Sequence, residues 1–320
     1  MSTVIDDRTE LAWPADPGRR RLGLLSLLAA VYTYALVVFG GIVRITGSGM
    51  GCGDDWPRCN GEWIPAFTFE TLIEYTHRLL AAGIGIVVLA VFGYALLKRA
   101  SPGVGGRAGM VRPLLLAAAL LIVQAALGAI TVRLELPPSV TIAHFVTAML
   151  FMATLIVAAA RGGALGDGAD VASPAVRRAA GWAAAAAATG LLVVALGAVT
   201  ANTPGAPPAC GGFPLCNGQF LPQSGALPME IHWAHRTAAF LLLFVSIAAA
   251  ANAYRTRVSR PVRIAAGASV ALIVLQLVVA AALILMRLPQ SLQAAHLAVG
   301  AAVWFALASW AVLARTTTRA

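Results

Sequence analysis

"CGDDWPRCNGEWIP" (Cys52–Pro65) returns 158 positions later as "CGGFPLCNGQFLP" (Cys210–Pro222), and these two stretches hold all four cysteines of the chain. A short polar loop bracketed by cysteines and written twice points to a duplicated unit, and the likeness continues beyond it. "CNGEWIP" (Cys59–Pro65) stands against "CNGQFLP" (Cys216–Pro222), and "EYTHR" (Glu74–Arg78) against "HWAHR" (His232–Arg236). Further on, Gln124, Arg133, Ser139 and His144 answer Gln276, Arg287, Ser291 and His296. Glutamine to histidine is 20 residues in both copies, and serine to histidine is five.

The surroundings of the loops are apolar. Hydrophobic residues make up 59% of the 320 and charged ones 11%. Runs of about 20 apolar residues, enough to cross a bilayer as a helix, lie near 22–43, 72–97, 113–133, 140–160, 178–200, 231–253, 262–286 and 291–314. The pattern predicts an all-α integral membrane protein with eight transmembrane helices. The first span follows Arg19–Arg21 with no small-residue cleavage site after it, which reads as an uncleaved span. The duplication divides the chain into a tail 1–21, a four-helix half 22–161, a linker 162–177 that takes in most of "RGGALGDGADVASP" (161–174), a second four-helix half 178–314 and a tail 315–320. An even number of spans per half makes both face the same way, so the expected arrangement is two parallel-repeat four-helix bundles.

A net charge of +10 invites a nucleic-acid reading, but the placement of the charges excludes it. With a cytoplasmic N-terminus, one side holds 17 Lys and Arg residues, from Arg8 and Arg19–Arg21 through Lys98, Arg99, Arg107, Arg112, Arg161, Arg177, Arg178, Arg255, Arg257, Arg260 and Arg263 to Arg315 and Arg319. The other side holds six: Arg44, Arg58, Arg78, Arg133, Arg236 and Arg287. This is the positive-inside asymmetry. It predicts a plasma-membrane protein with both termini cytoplasmic and both cysteine loops on the outer face, where disulfides persist. Four cysteines allow three pairings; Cys52–Cys59 with Cys210–Cys216 is the simplest, each pair bracketing its own loop. The competing reading, a metal site, has the pairs on separate loops and lacks CxxC spacing.

Four of the five histidines are fixed points of the repeat: His77, His144, His235 and His296. Each lies a few residues into an even-numbered span, so all four share one depth near the loops. Ionisable groups inside a membrane are costly and usually functional, although a lone one also serves as a structural hydrogen-bonder. Two such pairs on facing helices of four-helix units fit bis-histidine ligation of haem. No carboxylate neighbours His144, His235 or His296 to complete a zinc or di-iron set. Arg78 and Arg236 each follow a histidine, where haem propionates need cations and arginine pairs bidentately with carboxylates. Arg44, Arg133 and Arg287 lie at the same level, and for the last two propionate pairing and snorkelling stand open together. The copies differ at one place: three residues before the histidine is Glu74 in the first and His232 in the second. Glu74 and His77 share a helix face. The plain reading of Glu74 is a capping box with Thr71; the functional one is a catalytic carboxylate beside one haem. His232 is a competitor of His235 for iron, and His235 keeps the register.

"GGIVRITGSGMGCGDDWPRC" (Gly40–Cys59), "EYTHR", "PPSVTIAHF" (Pro137–Phe145), "HWAHR" and "QAAHL" (Gln293–Leu297) resemble the haem A synthase family over nearly the whole chain, 22–314. "CGDDWP" carries one more acidic residue than that family's loop. The resemblance implies oxidation of the C8 methyl of haem O to a formyl group through hydroxylated intermediates, with water supplying the oxygen. It implies that His77 and His144 hold the substrate haem, that His235 and His296 hold a permanent haem b, and that Glu74 is the catalytic acid. It also implies haem O as substrate, haem A as product, and a haem O synthase (protohaem farnesyltransferase) as a possible partner, with the membrane electron acceptor left open. Two rival classes remain. A di-haem electron carrier would share the four histidines but gives no reason for Glu74 in one copy alone. A transporter on parallel repeats would want broken helices and midplane polar sites, whereas the polar residues here gather at one edge.

Overall fold

The computed structural model describes residues 17–166, 173–222 and 225–316; the tail segment 1–16, the centre of the linker at 167–172, residues 223–224 and residues 317–320 lie outside the described residues. Helices follow in the order α1 (Pro17–Ile45), α2 (Phe69–Leu97), α3 (Val111–Arg133), α4 (Pro138–Arg161), α5 (Pro174–Asn202), the single-turn α6 (Ala206–Ala209), α7 (Leu227–Thr256), α8 (Arg260–Leu285) and α9 (Gln290–Thr316). Eight of them, all but α6, are long and apolar enough to cross a membrane, and among the described residues there is no β-strand. In hydrocarbon a helix satisfies its backbone groups within its own segment, which is why a chain this apolar folds this way. The molecule is an all-α, multi-pass membrane protein.

The helices outrun the apolar runs that announce them. α1 begins at Pro17, so Arg19–Arg21 are its first turn and not the end of a tail 1–21. α5 begins at Pro174, with Ser173 Oγ accepting from Val176 N at 3.2 Å as an N-cap, so 174–177 are helix and not linker. α9 continues past 314 to Thr316. Proline is well suited to a first helical turn, where its missing N–H loses nothing. Arginine stems let the charge reach water while the backbone stays helical.

Neighbouring helices close two rings. α1 packs on α2 and α4, α2 on α3, and α3 on α4; α5 packs on α7 and α9, α7 on α8, and α8 on α9. The rings meet where α9 touches α1 and α4 and where α4 touches α5. Leu22, Val88, Met149, Met152 and Leu155 are sealed in one core, and Val262, Leu307 and Trp310 in the other. Polar side chains stitch helix to helix: Trp304 Nε1 donates to Met149 O at 2.9 Å (α9 to α4), Tyr34 Oη to Ala298 O at 3.2 Å (α1 to α9) and Tyr32 Oη to Leu80 O at 2.9 Å (α1 to α2). Lipid offers these groups no alternative partner, so each bond also fixes how the helices meet.

Up-and-down connectivity gathers the α1–α2, α3–α4, α5–α7 and α8–α9 connections on one face, here the loop face. Both cysteine loops and the turns before α4 and α9 belong to it, while the α2–α3 and α7–α8 connections lie on the opposite face with Lys98, Arg99, Arg107, Arg257 and their neighbouring cations. The α3–α4 and α8–α9 turns are built alike. Glu135 and Leu136 (φ 56 and 62) correspond to Arg287 and Leu288 (φ 62 and 63), and Leu136 N and Leu288 N each reach back at 2.8 Å to Thr131 O and Leu283 O. This register corrects one expected match: Arg287 answers Glu135, each nine residues before its histidine, and not Arg133.

Candidate functional site

Each cysteine loop is a disulfide-closed hairpin. Cys52–Cys59 and Cys210–Cys216 are bonded, with Cα–Cα distances of 4.4 and 4.6 Å, as local pairing anticipated, and no free cysteine is present. Beyond each disulfide the repeated Asn-Gly makes a tight turn. Asn60 and Gly61 have φ 53 and 83, and Asn217 and Gly218 have φ 52 and 78, the left-handed pair that Asn-Gly adopts most readily. Cys59 pairs with Glu62, and Cys216 with Gln219, through both backbone bonds at 2.9 to 3.1 Å. Asn60 Nδ2 donates to Gly51 O and Asn217 Nδ2 to Ala209 O, both at 3.1 Å, tying each turn to the chain entering its loop.

In the first copy the loop is held down by α2. The N-cap of α2 is Thr68, whose Oγ1 accepts from Thr71 N at 3.2 Å. Glu74 therefore stands beyond the cap, and the capping-box reading with Thr71 is corrected: Thr71 Oγ1 donates to Gly51 O at 2.7 Å. Glu74 is 3% exposed. Its Oε2 accepts from Cys52 N at 2.9 Å, and its Oε1 accepts from Arg78 Nη2 at 2.6 Å and Nε at 3.1 Å. Arg78 Nη1 donates to Asp55 O at 2.8 Å and Arg58 O at 2.7 Å. Carboxylate, guanidinium and loop backbone form one charge-assisted unit.

The second copy repeats this with a different residue in the carboxylate's place. Arg236 Nη1 donates to Gly212 O at 2.9 Å and Leu215 O at 3.0 Å, and its Nη2 to Cys210 O at 2.7 Å. Its Nε donates to His232 Nε2 at 3.2 Å, and His232 Nδ1 meets Ala206 O at 2.9 Å. An imidazole whose Nε2 accepts must carry its proton on Nδ1, so Nδ1–H donates to the α6 carbonyl. Both ring nitrogens of the buried His232 are thus engaged. His235, by contrast, keeps a buried Nδ1 without a partner.

His77 and His235 lie eight residues into α2 and α7, and His144 and His296 six residues into α4 and α9, each near the loop-face end of its helix. Two glycines that the sequence reading missed make room for the first of each pair. A Cβ added at Gly40 of α1 would meet His77 Cε1 at 3.0 Å, and one at Gly197 of α5 would meet His235 Cε1 at 3.0 Å. The signal was present, since both glycines stand 157 positions apart, the spacing of Cys59 and Cys216, but the residues around them differ. Phe39 stacks on His77, ring centres 6.2 Å apart. Gln124 Nε2 donates to His144 O at 3.1 Å and Gln276 Nε2 to His296 O at 2.9 Å, a role for the repeated glutamines that their spacing did not disclose.

These residues fit a haem. His77, His144 and His235 each keep a buried ring nitrogen, Nδ1, without a hydrogen-bond partner, a costly state in an apolar interior. The His235 and His296 ring centres are 6.5 Å apart with the planes at 83°. With metal–nitrogen bonds of about 2.0 Å, two imidazoles on opposite sides of one metal ion place their centres roughly 6 Å apart. Among the described residues no cluster of three or more His, Cys, Asp or Glu side chains could form a different metal site.

The model of the COX15-CtaA family, cytochrome oxidase assembly protein, matches residues 23–70 and 64–308. The haem A synthase of Alkalihalophilus pseudofirmus is 32% identical over 234 residues, 71% of this chain and 75% of that protein. That of Halalkalibacterium halodurans is 31% identical over 233 residues, 72% of this chain and 75% of that protein. A shorter stretch of 81 residues, 25% of this chain, is 46% identical to 13% of the protohaem IX farnesyltransferase of Thermus thermophilus. Matched by the family model over most of its length and by such relatives across some seven-tenths of it, the chain belongs to the COX15-CtaA family of cytochrome oxidase assembly proteins, the family of the haem A synthases.

Proposed function

We propose that this protein is a haem A synthase, an oxidoreductase that converts the C8 methyl of haem O to a formyl group. The observation that carries the reading is an exchange at the arginine that grips each loop: Glu74 stands where the second copy has His232, four residues before the arginine in each. Residues 22–161 form the catalytic half, with His77 and His144 as ligands of the substrate haem O. Residues 178–314 form the half in which His235 and His296 hold haem b, which supplies a redox centre for electrons leaving the substrate.

The reaction R–CH₃ + H₂O → R–CHO + 4 H⁺ + 4 e⁻ requires a base at the methyl and an electron acceptor beyond the protein. Glu74, on the face of α2 that carries His77, is the group to take up a proton or orient the attacking water. Its bonds to Arg78 and Cys52 N fix the carboxylate's position before substrate arrives. Arg78 and Arg236 make four hydrogen bonds each. Of five guanidinium N–H donors that leaves one apiece for a propionate; the charge of Arg78 is matched by Glu74, while Arg236 bonds only carbonyls and an imidazole and keeps its positive charge at that edge.

The excess of lysine and arginine on the side away from the cysteine loops, 17 against six, supports cytoplasmic termini, loops on the outer face and a plasma-membrane location. The likeness of one segment to part of a protohaem farnesyltransferase supports such an enzyme as the partner that delivers haem O.

The rival reading, a di-haem electron carrier, is favoured by one fact: Glu74 and His232 both bond the arginine that grips their loop, so a loop-holding role alone accounts for Glu74. Supplying haem O to the purified protein with an electron acceptor, then extracting and identifying the haems, decides between them. Formation of haem A supports synthesis; unchanged haem O supports the carrier.

A further inference from the structure

The two ligand-bearing helices α4 and α9 are secured in the same way up to one atom. Gln124 on α3 and Gln276 on α8 each donate to the main-chain carbonyl of the histidine 20 residues on, at 3.1 and 2.9 Å. Such a bond ties the depth and rotation of the ligand helix to its neighbour, and in lipid the amide has few other partners. Beyond the carbonyl the sites part. Gln276 Nε2 also lies 3.1 Å from His296 Nδ1 and 3.3 Å from its Nε2. In the first copy no such contact forms among the described residues, and His144 Nδ1 is buried without a partner.

The cause is one turn further along each helix. Position 300 is glycine and its counterpart, four residues after His144, is Ala148. A Cβ at Gly300 would meet Gln276 Nε2 at 3.2 Å, a spacing at which the amide must give way. The missing side chain opens a notch that admits the amide to the imidazole. The atom that meets the ring here, Nε2, is a donor, whereas an imidazole bound to iron through one nitrogen offers an N–H on the other; the amide's Oε1, buried without a partner, is the acceptor that takes that N–H when the amide turns over. Groups of this kind orient a metal-bound histidine and raise its hold on the metal.

We propose that Gln276, admitted by Gly300, is a positioning residue that holds the His296 imidazole in place and makes the second-half haem the retained one. The His144 ring, which Gln124 does not reach, is left free to turn for a haem that must enter and leave. A ring already held loses less rotamer freedom when it binds iron and swings away less readily. This rests on the haem reading above.

The test uses the purified full-length protein in detergent and measures transfer of its haem to an excess of a haem-free scavenging protein, with the electron paramagnetic resonance of the low-spin haem recorded alongside. Gln276→Leu is expected to speed release of the retained haem roughly ten- to hundredfold and to shift the low-spin signal, because ring orientation changes. Gly300→Ala keeps every hydrogen-bonding side chain and is expected to act in the same direction by less; it carries the test where Gln276→Leu does not accumulate. Gln124→Leu is expected to leave release of that haem unchanged. His235→Ala identifies the site: if the retained haem survives it, the haem is not in the second half and the functional reading falls with this one. If His235→Ala removes the haem while Gln276→Leu and Gly300→Ala release it at the wild-type rate, only the role of Gln276 is overturned.

Discussion

Positions 74 and 232 show what one side chain changes inside a repeated frame. Both lie one turn before an arginine that grips loop carbonyls, and both bond that arginine. Only the carboxylate also takes a backbone N–H of the cysteine loop. Glu74→Gln keeps the size and one acceptor oxygen. The variant is expected to fold and bind both haems while haem O conversion falls about 10²-fold or more, as checked by haem extraction after turnover. Wild-type conversion would leave Glu74 as a loop holder. For the histidines the expected outcomes differ by copy. His235→Ala or His296→Ala removes the tightly held haem b absorption, whereas His77→Ala or His144→Ala abolishes haem A formation and leaves haem b bound. Loss of the same pigment in all four variants would overturn the division of labour. Residue types and register were legible in the sequence, as the matched helix positions of His77 with His235 and of His144 with His296 show. Partners were not: the destinations of Arg78 and Arg236, and the engagement of His232, depend on which carbonyls the folded loop turns inward.

At the scale of elements, the loop and the start of the helix after it act as one piece. Thr68 caps α2, Thr71 holds Gly51 O, and Glu74 holds Cys52 N, three contacts at one helix end. The sequence reading put the cap at Thr71, because a Thr-to-Glu spacing of three is what a capping box looks like. It could not register that the loop backbone would occupy Thr71's hydroxyl. Thr68→Ala is expected to destabilise the start of α2 by about 1 kcal/mol, read as earlier hydrogen exchange of the amides at 69–72 with the rest of the helix unaffected. Replacing Cys52 and Cys59 together by serine removes a constraint of ~2–4 kcal/mol. That variant is expected to become sensitive to proteolysis within 52–65 while the matching loop at 210–222 stays resistant. Equal sensitivity of both loops would mean that they are not independent elements. The turns before α4 and α9 carry a related lesson. Matching Arg133 to Arg287 by residue type misses the register, since backbone conformation places Glu135 and Arg287 together.

For the whole molecule, charge placement and helix count together make a topological prediction. With the N-terminus cytoplasmic, reduction of intact cells followed by a membrane-impermeant thiol reagent should label Cys52, Cys59, Cys210 and Cys216; protection of all four in intact cells, with labelling only after lysis, would reverse the assigned orientation. By itself the sequence determined the class of molecule, eight apolar helices, and the doubling of loop, histidine and glutamine at fixed spacing. Hydrophobic length and residue spacing are properties of the chain in one dimension, and a bilayer converts the first almost directly into helices. Tertiary structure alone decided which helices meet, with α9 packed on α1, α4 and α5. It also decided that Gly40 and Gly197 leave room for an imidazole and that Gly300 admits Gln276 to His296 where Ala148 stands in the other copy. Those outcomes turn on approaches of a few tenths of an ångström between segments far apart in the chain, where a single methyl group blocks or allows a contact.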